Sequence, residues 1–161
     1  MEQDRLKFSI ERFDHYYDSI NNKGSVFLAL STFIVGGLIT TYPTLIDKMS
    51  NKLLGNIIIS CLLGIGIFIM ILLVNAAMPY LSKRRHSIHY FGSISNHSES
   101  EFRQKSSEVD SSKEVDDLRS QVYQLSVGLS KKFRKLRIAG ILFIIQFAFF
   151  IPLIILLITN N

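Results

Sequence analysis

The stretch LGNIIISCLLGIGIFIMILLVNAAM, residues 54–78, runs for 25 positions without a formal charge. An α-helix rises about 1.5 Å per residue, so about 20 mainly apolar residues cross the roughly 30 Å of bilayer hydrocarbon. This block is therefore read as a membrane span. Two further blocks, 25–43 and 138–158, also meet that standard and carry no charge. Together they take up well over a third of a 161-residue chain, which leaves little material for a water-soluble core. The 48% of hydrophobic residues matters because they come in blocks. Nothing periodic suggests a sheet, and the expected fold is an all-α membrane protein.

Lys and Arg beside the spans set the expected orientation, because positively charged flanks resist translocation. Twelve of the 18 fall between the second and third spans, with the densest runs at Lys83 to Arg85 and Lys131 to Arg137. Residues 44–53, by contrast, hold only Lys48 and Lys52, and the tail 159–161 holds none. The reading is a cytosolic 1–24, an outside loop 44–53, a cytosolic 79–137 and an outside tail. The basic runs abut the membrane, where anionic lipid attracts them, so they are not read as a nucleic-acid surface. Residues 1–24 alternate acids and bases with no apolar core, so neither a signal nor a transit peptide is expected there.

The cytosolic stretches carry helical stripes. Leu6, Ile10, Phe13, Tyr17 and Ile20 recur at steps of four and three, as do Val115, Leu118, Val122, Leu125 and Leu129. Each stripe is the natural partner of the other. A helix over 113–137 is expected to continue into the third span, since only the single glycines Gly128 and Gly140 interrupt the run. Asn21, Asn22 and Gly24 stand at the corresponding junction before the first span. The Ser-rich and charged residues 93–112 read as a loop or short helix.

No catalytic motif is present: HExxH, GxSxG and a Walker loop are all missing, and no Cys/His spacing suits a metal. Cys61, the lone cysteine, lies inside the second span and is read as a packing residue. His86 and His89 supply too few ligands for a metal and are read as interfacial surface. No cofactor and no enzymatic activity are expected. Within the spans, Gln146 is an amide that needs a partner in hydrocarbon. Ser25, Ala29, Thr32, Gly36 and Thr40 share one face of the first span, and Asn56, Ser60 and Gly64 form a shorter stripe on the second. These small and polar residues fit either packing within one chain or an interface between copies, where Thr32 and Gln146 would line or seal a pore.

The ordered motifs then resemble a known family. The run Asp14-His15-Tyr16-Tyr17-Asp18-Ser19-Ile20-Asn21-Asn22-Lys23-Gly24 leading into a span is similar to the start of the Pycsar transmembrane effectors, as is Tyr90-Phe91-Gly92-Ser93-Ile94 after the second span. Asp117 to Leu125 and Lys131 to Ala139 resemble that family's last cytosolic helix entering its last span. The likeness extends over roughly residues 8–158. It implies a bacterial inner-membrane effector of antiphage defence, and a homo-oligomer in the lipid bilayer is the expected state. A partner cyclase would make 3′,5′-cyclic CMP, favoured here over cyclic UMP, and the effector would then impair membrane integrity. A cyclic nucleotide wants cations or amides for its phosphate, an aromatic for stacking and an amide for the base edge. The family-like stretches supply Lys23, Arg84, Arg85, Tyr90, Gly92, Arg119, Gln121, Tyr123 and Lys132 as candidates.

Overall fold

The computed structural model describes residues 1–79 and 87–159, with the Phe91 side chain left aside. Five helices make up the described chain: α1 (Glu2–Asp47), α2 (Lys52–Ala77), α3 (Phe91–Ile94), α4 (Glu99–Ser107) and α5 (Ser111–Ile158). Two compact units form, one from Met1–Ser19 with Pro79–Lys131 and the other from Ile20–Met78 with Lys132–Asn161. Helix α1 runs unbroken through Asn21, Asn22 and Gly24, and α5 runs unbroken from Ser111. Both helices thus belong to both units. The stretch 93–112 holds more helix than its composition suggests. Ser98 accepts from the Glu101 amide while Glu101 accepts from the Ser98 amide, a reciprocal cap that starts α4.

In the first unit the two apolar stripes meet as their spacing demands. Leu6 and Leu118 are buried, and Ile10, Phe13, Tyr17, Val115, Val122 and Leu125 are half-buried around them. The helices run in the same direction, because Gln3 Nε2 donates to Glu114 Oε1 at 2.6 Å and Tyr17 Oη donates to the Leu125 carbonyl at 3.0 Å. Lys7 approaches Glu114 at 3.6 Å, and Arg119 grips Glu2. Apolar burial supplies most of the association, and these exposed or part-exposed pairs contribute register.

The second unit turns the usual soluble pattern inside out. Val26, Phe33, Ile67, Phe68, Ile71, Ile144 and Ile154 face outward, while Ser31 and Gln146 are fully buried. Such a surface suits lipid, and α1, α2 and α5 are each long and apolar enough to cross a membrane. One apolar cluster gathers Leu38, Met49, Ile58, Ile59, Leu62 and Leu153. Asn51 caps α2 by accepting from the Leu54 amide, and Met49 fills the space that Gly55 leaves open. Midway along the helices Phe27 meets Phe143 edge to face with centroids 5.2 Å apart.

Gly66 is enclosed by side chains from both neighbouring long helices. A methyl there would lie 2.5 Å from Val35 Cγ2 and 2.9 Å from Gln146 Nε2, whereas Gly36 and Gly64 face open space. Gly66→Ala is therefore expected to lower stability by about 1–3 kcal/mol, read as a shifted unfolding midpoint in mixed micelles. Gly36→Ala and Gly64→Ala should stay within about 0.5 kcal/mol of the parent.

Candidate nucleotide-sensing unit and intramembrane polar node

Three helices of the second unit are tied together by two side chains. Ser31 Oγ on α1 donates to the Gly66 carbonyl of α2 at 3.0 Å, and Gln146 Nε2 on α5 donates to the Leu62 carbonyl at 3.1 Å. Leu62 and Gly66 are one turn apart, so both bonds land on the same short strip of α2. The Gln146 Oε1 atom is buried without a hydrogen-bond partner among the described residues. An unpaired carbonyl oxygen in such a place costs on the order of 1–3 kcal/mol.

The other intramembrane candidates lie elsewhere. Thr32 is exposed and bonds back to the Leu28 carbonyl of its own helix at 2.8 Å, and Gly36 and Ser60 are exposed. Ser25, Ala29, Thr32, Gly36 and Thr40 form an outward face within a single chain, while the buried face of α1 is Ser31, Val35 and Leu38. Asn56 is half-buried and accepts from Tyr42 Oη at 3.0 Å. Sequence reading named Thr32 and missed its neighbour Ser31. The available signal was the step of four from Ser31 to Val35, followed by three to Leu38, which marks the helix's true inner face.

Most of the polar candidates in the first unit are committed to its own structure. Arg119 bonds both Glu2 oxygens at 2.9 Å and Asp116 at 2.6 Å. Gln121 Nε2 donates to Ser87 Oγ at 3.0 Å, which in turn donates to Asp117 Oδ2 at 2.8 Å. The Ile88 amide also reaches Asp117, and the His89 and Tyr90 amides donate to Ser87 Oγ. Asp117 and Gln121, one turn apart, thereby hold residues 87–90 against α5. Tyr123 is 66% exposed. The Tyr90 ring lies over Gly92, where an added methyl would approach it to 2.6 Å. Arg84 and Arg85 lie outside the described residues.

Two candidates belong to the second unit. Lys23 is exposed on α1. Lys132 is largely buried, and that burial, with the Lys135 ammonium as a lesser cause, lowers its pKa from the ordinary lysine value. A narrow apolar cleft of about 130 Å³, lined by Ile20, Gly24, Leu28, Leu73, Ala76 and Leu136 among others, lies in this unit. It falls below the size of ordinary small-molecule sites, which begin at about 300 Å³. In the first unit a cleft of about 380 Å³ lies between residues 87–88, α4 and the start of α5, bordered by Ser87, Ile88, His97, Phe102, Lys105, Glu108, Val109 and Lys113. Sequence reading named none of these as a site. Among the described residues no group of three or more His, Cys, Asp or Glu is placed to hold a metal ion.

The Arg119 guanidinium, bonded to both its oxygens, holds the Glu2 carboxyl below its usual 4.5, while Glu2 and then Asp116 raise Arg119. A carboxyl whose folded pKa is depressed stabilises the fold fully above its unfolded value and loses that contribution as pH falls through the folded one. In a proton titration of the full chain, Glu2 is therefore expected to titrate below 4.5. Arg119→Ala should return it to the ordinary carboxylate range.

No curated protein and no solved structure matches the chain. Residues 5–159 match the family model described as PycTM, the Pycsar effector protein domain. With three helices fit to span a bilayer, the chain belongs to this family of Pycsar antiphage effectors and is a multi-pass membrane protein.

Proposed function

We propose that the protein senses 3′,5′-cyclic CMP, in preference to cyclic UMP, made by the cognate cyclase of a Pycsar system, and then impairs the integrity of the bacterial inner membrane so that the infected cell dies before phage matures. The observation that carries this reading is the family match over residues 5–159 of a chain whose α1 and α5 are each shared by a polar unit and an apolar unit. The basic residues of 79–137 support a cytosolic location for the polar unit, with the N-terminus inside and the C-terminus outside. There it meets nucleotides.

A ligand shifts a conformational equilibrium only by its differential affinity for the two states. In this reading, nucleotide binding favours a second arrangement of α1 and α5, and the spans repack. Two features of the apolar unit support repacking. Gln146 Oε1 has no partner among the described residues, so another arrangement that pairs it gains a hydrogen bond. The outward small-residue face of α1 also allows close approach of a second copy, which supports a homo-oligomer. A membrane effector gated by another nucleotide signal, or a structural subunit of a membrane complex, would share this helical plan without responding to cyclic CMP.

Dye release from liposomes carrying the purified protein tests the function: leakage should rise on adding cyclic CMP, and leakage indifferent to both cyclic pyrimidines at micromolar concentrations would sink direct sensing. Gln146→Leu removes a hydrogen bond together with the unpaired oxygen, so its stability should stay within about 1 kcal/mol of the parent. Its nucleotide-dependent leakage should fall severalfold. Full leakage from that variant would remove Gln146 from the response.

A further inference from the structure

We infer that the cleft between residues 87–88, α4 and the start of α5 is the nucleotide site, and that it reads the base as cytosine through Glu108. This inference rests on the proposed sensing of a cyclic pyrimidine nucleotide and adds where and how the ligand is held. The cleft, at about 380 Å³, lies within the range of sites that enclose small molecules. Its borders carry one group for each part of such a ligand.

Lys105 and Lys113 supply two ammonium groups for one phosphodiester charge. Lys105 Nζ lies 3.1 Å from His97 Nε2, and Lys113 lends its backbone amide to Asp110 Oδ1. Neither ammonium is in an ion pair with a carboxylate among the described residues. Phe102 lines the cleft together with the apolar Ile88, and an aromatic ring is the group on which a pyrimidine stacks. Glu108 uses Oε1 to accept from Gln104 Nε2 at 2.9 Å, which leaves Oε2 to accept another donor.

That last atom distinguishes the two bases. Cytosine presents an exocyclic amine, a donor that a carboxylate accepts, whereas uracil presents a carbonyl oxygen that a carboxylate repels. The charged side chains of the cleft support the same ligand: two lysines against one glutamate favour a monoanion. Arg119, in the same unit, is less suited. Arg119 is held by Glu2 and Asp116, and its pairing would have to break first.

Equilibrium binding of labelled cyclic CMP and cyclic UMP to the full chain in detergent tests the site. The parent protein should bind cyclic CMP at least about tenfold more tightly than cyclic UMP, the effect of one hydrogen bond to a charged group. Lys105→Ala with Lys113→Ala should weaken both nucleotides by about tenfold or more. Glu108→Gln, whose amide can donate to the uracil carbonyl, should bring the two affinities within about threefold of each other. Arg103→Ala, on α4 but paired with Glu99, should change neither. These side chains are exposed, and unchanged helicity and gel-filtration volume would show that each variant folds. If the parent binds and discriminates while the lysine and Glu108 variants behave as the parent, the site is wrong and the sensing reading stands. If Glu108→Gln tightens both nucleotides equally, Glu108 acts only through its charge and the base-reading role is lost. A parent that binds neither nucleotide overturns the sensing reading and the site together.

Discussion

Hydrocarbon offers a polypeptide no hydrogen-bonding solvent, and this constraint shapes the whole molecule. Every backbone amide within a span must find its partner in its own helix, so the spans are helices by necessity. Between helices, lipid tails are as apolar as leucine, and burial gives little reason to associate. Close packing and a few polar contacts remain. Gly66 removes the side chain that would hold α2 away from its neighbours, and the freed carbonyl strip at Leu62 and Gly66 receives Ser31 from one side and Gln146 from the other. The cluster of Leu38, Met49, Ile58, Ile59, Leu62 and Leu153 adds complementary shape.

Much of this was legible in the sequence because the bilayer simplifies the grammar. Charge-free blocks of the right length allow one structure, and two stripes of matching period in the polar segments point at each other. The burial of Leu6 and Leu118 follows directly from that period. Other features depended on information that periodicity does not carry. Asn21, Asn22 and Gly24 have poor helix propensity, yet α1 passes through them because both flanks are anchored helices, and local cost yields to tertiary context. The inner face of α1 runs through Ser31, one position from the small-residue stripe that composition highlights. A 100° turn per residue is enough to exchange a lipid-facing threonine for a buried serine.

The candidate nucleotide ligands show the same limit more sharply. Residue chemistry picked out Arg119 and Gln121, which have the right groups, but a sequence cannot show that those groups already have partners. Glu2 lies 117 positions from Arg119, and Ser87 lies 34 from Gln121. The residues of the proposed cleft draw no notice in the sequence for the opposite reason. His97, Phe102, Lys105 and Glu108 fall in a Ser-rich, charged stretch that reads as connection, and only the reciprocal Ser98 and Glu101 cap organises it into a helix with a ligand-sized space beside it. The proposed function asks one polar part to change partners and one apolar part to respond, and α1 and α5 each run through one unit of either kind.

The polar node also has a temporal side. Ser31 and Gly66 are 35 residues apart, whereas Gln146 reaches back 84 residues to Leu62. Synthesis runs from the N-terminus, so the first two spans can form a hairpin and make their serine bond while the third is still on the ribosome. The last helix then enters carrying an amide that lipid cannot satisfy, and its first hydrogen-bonding opportunity is the strip already displayed by the hairpin. Assembly of the bundle is in this way ordered by where its polar groups fall along the chain.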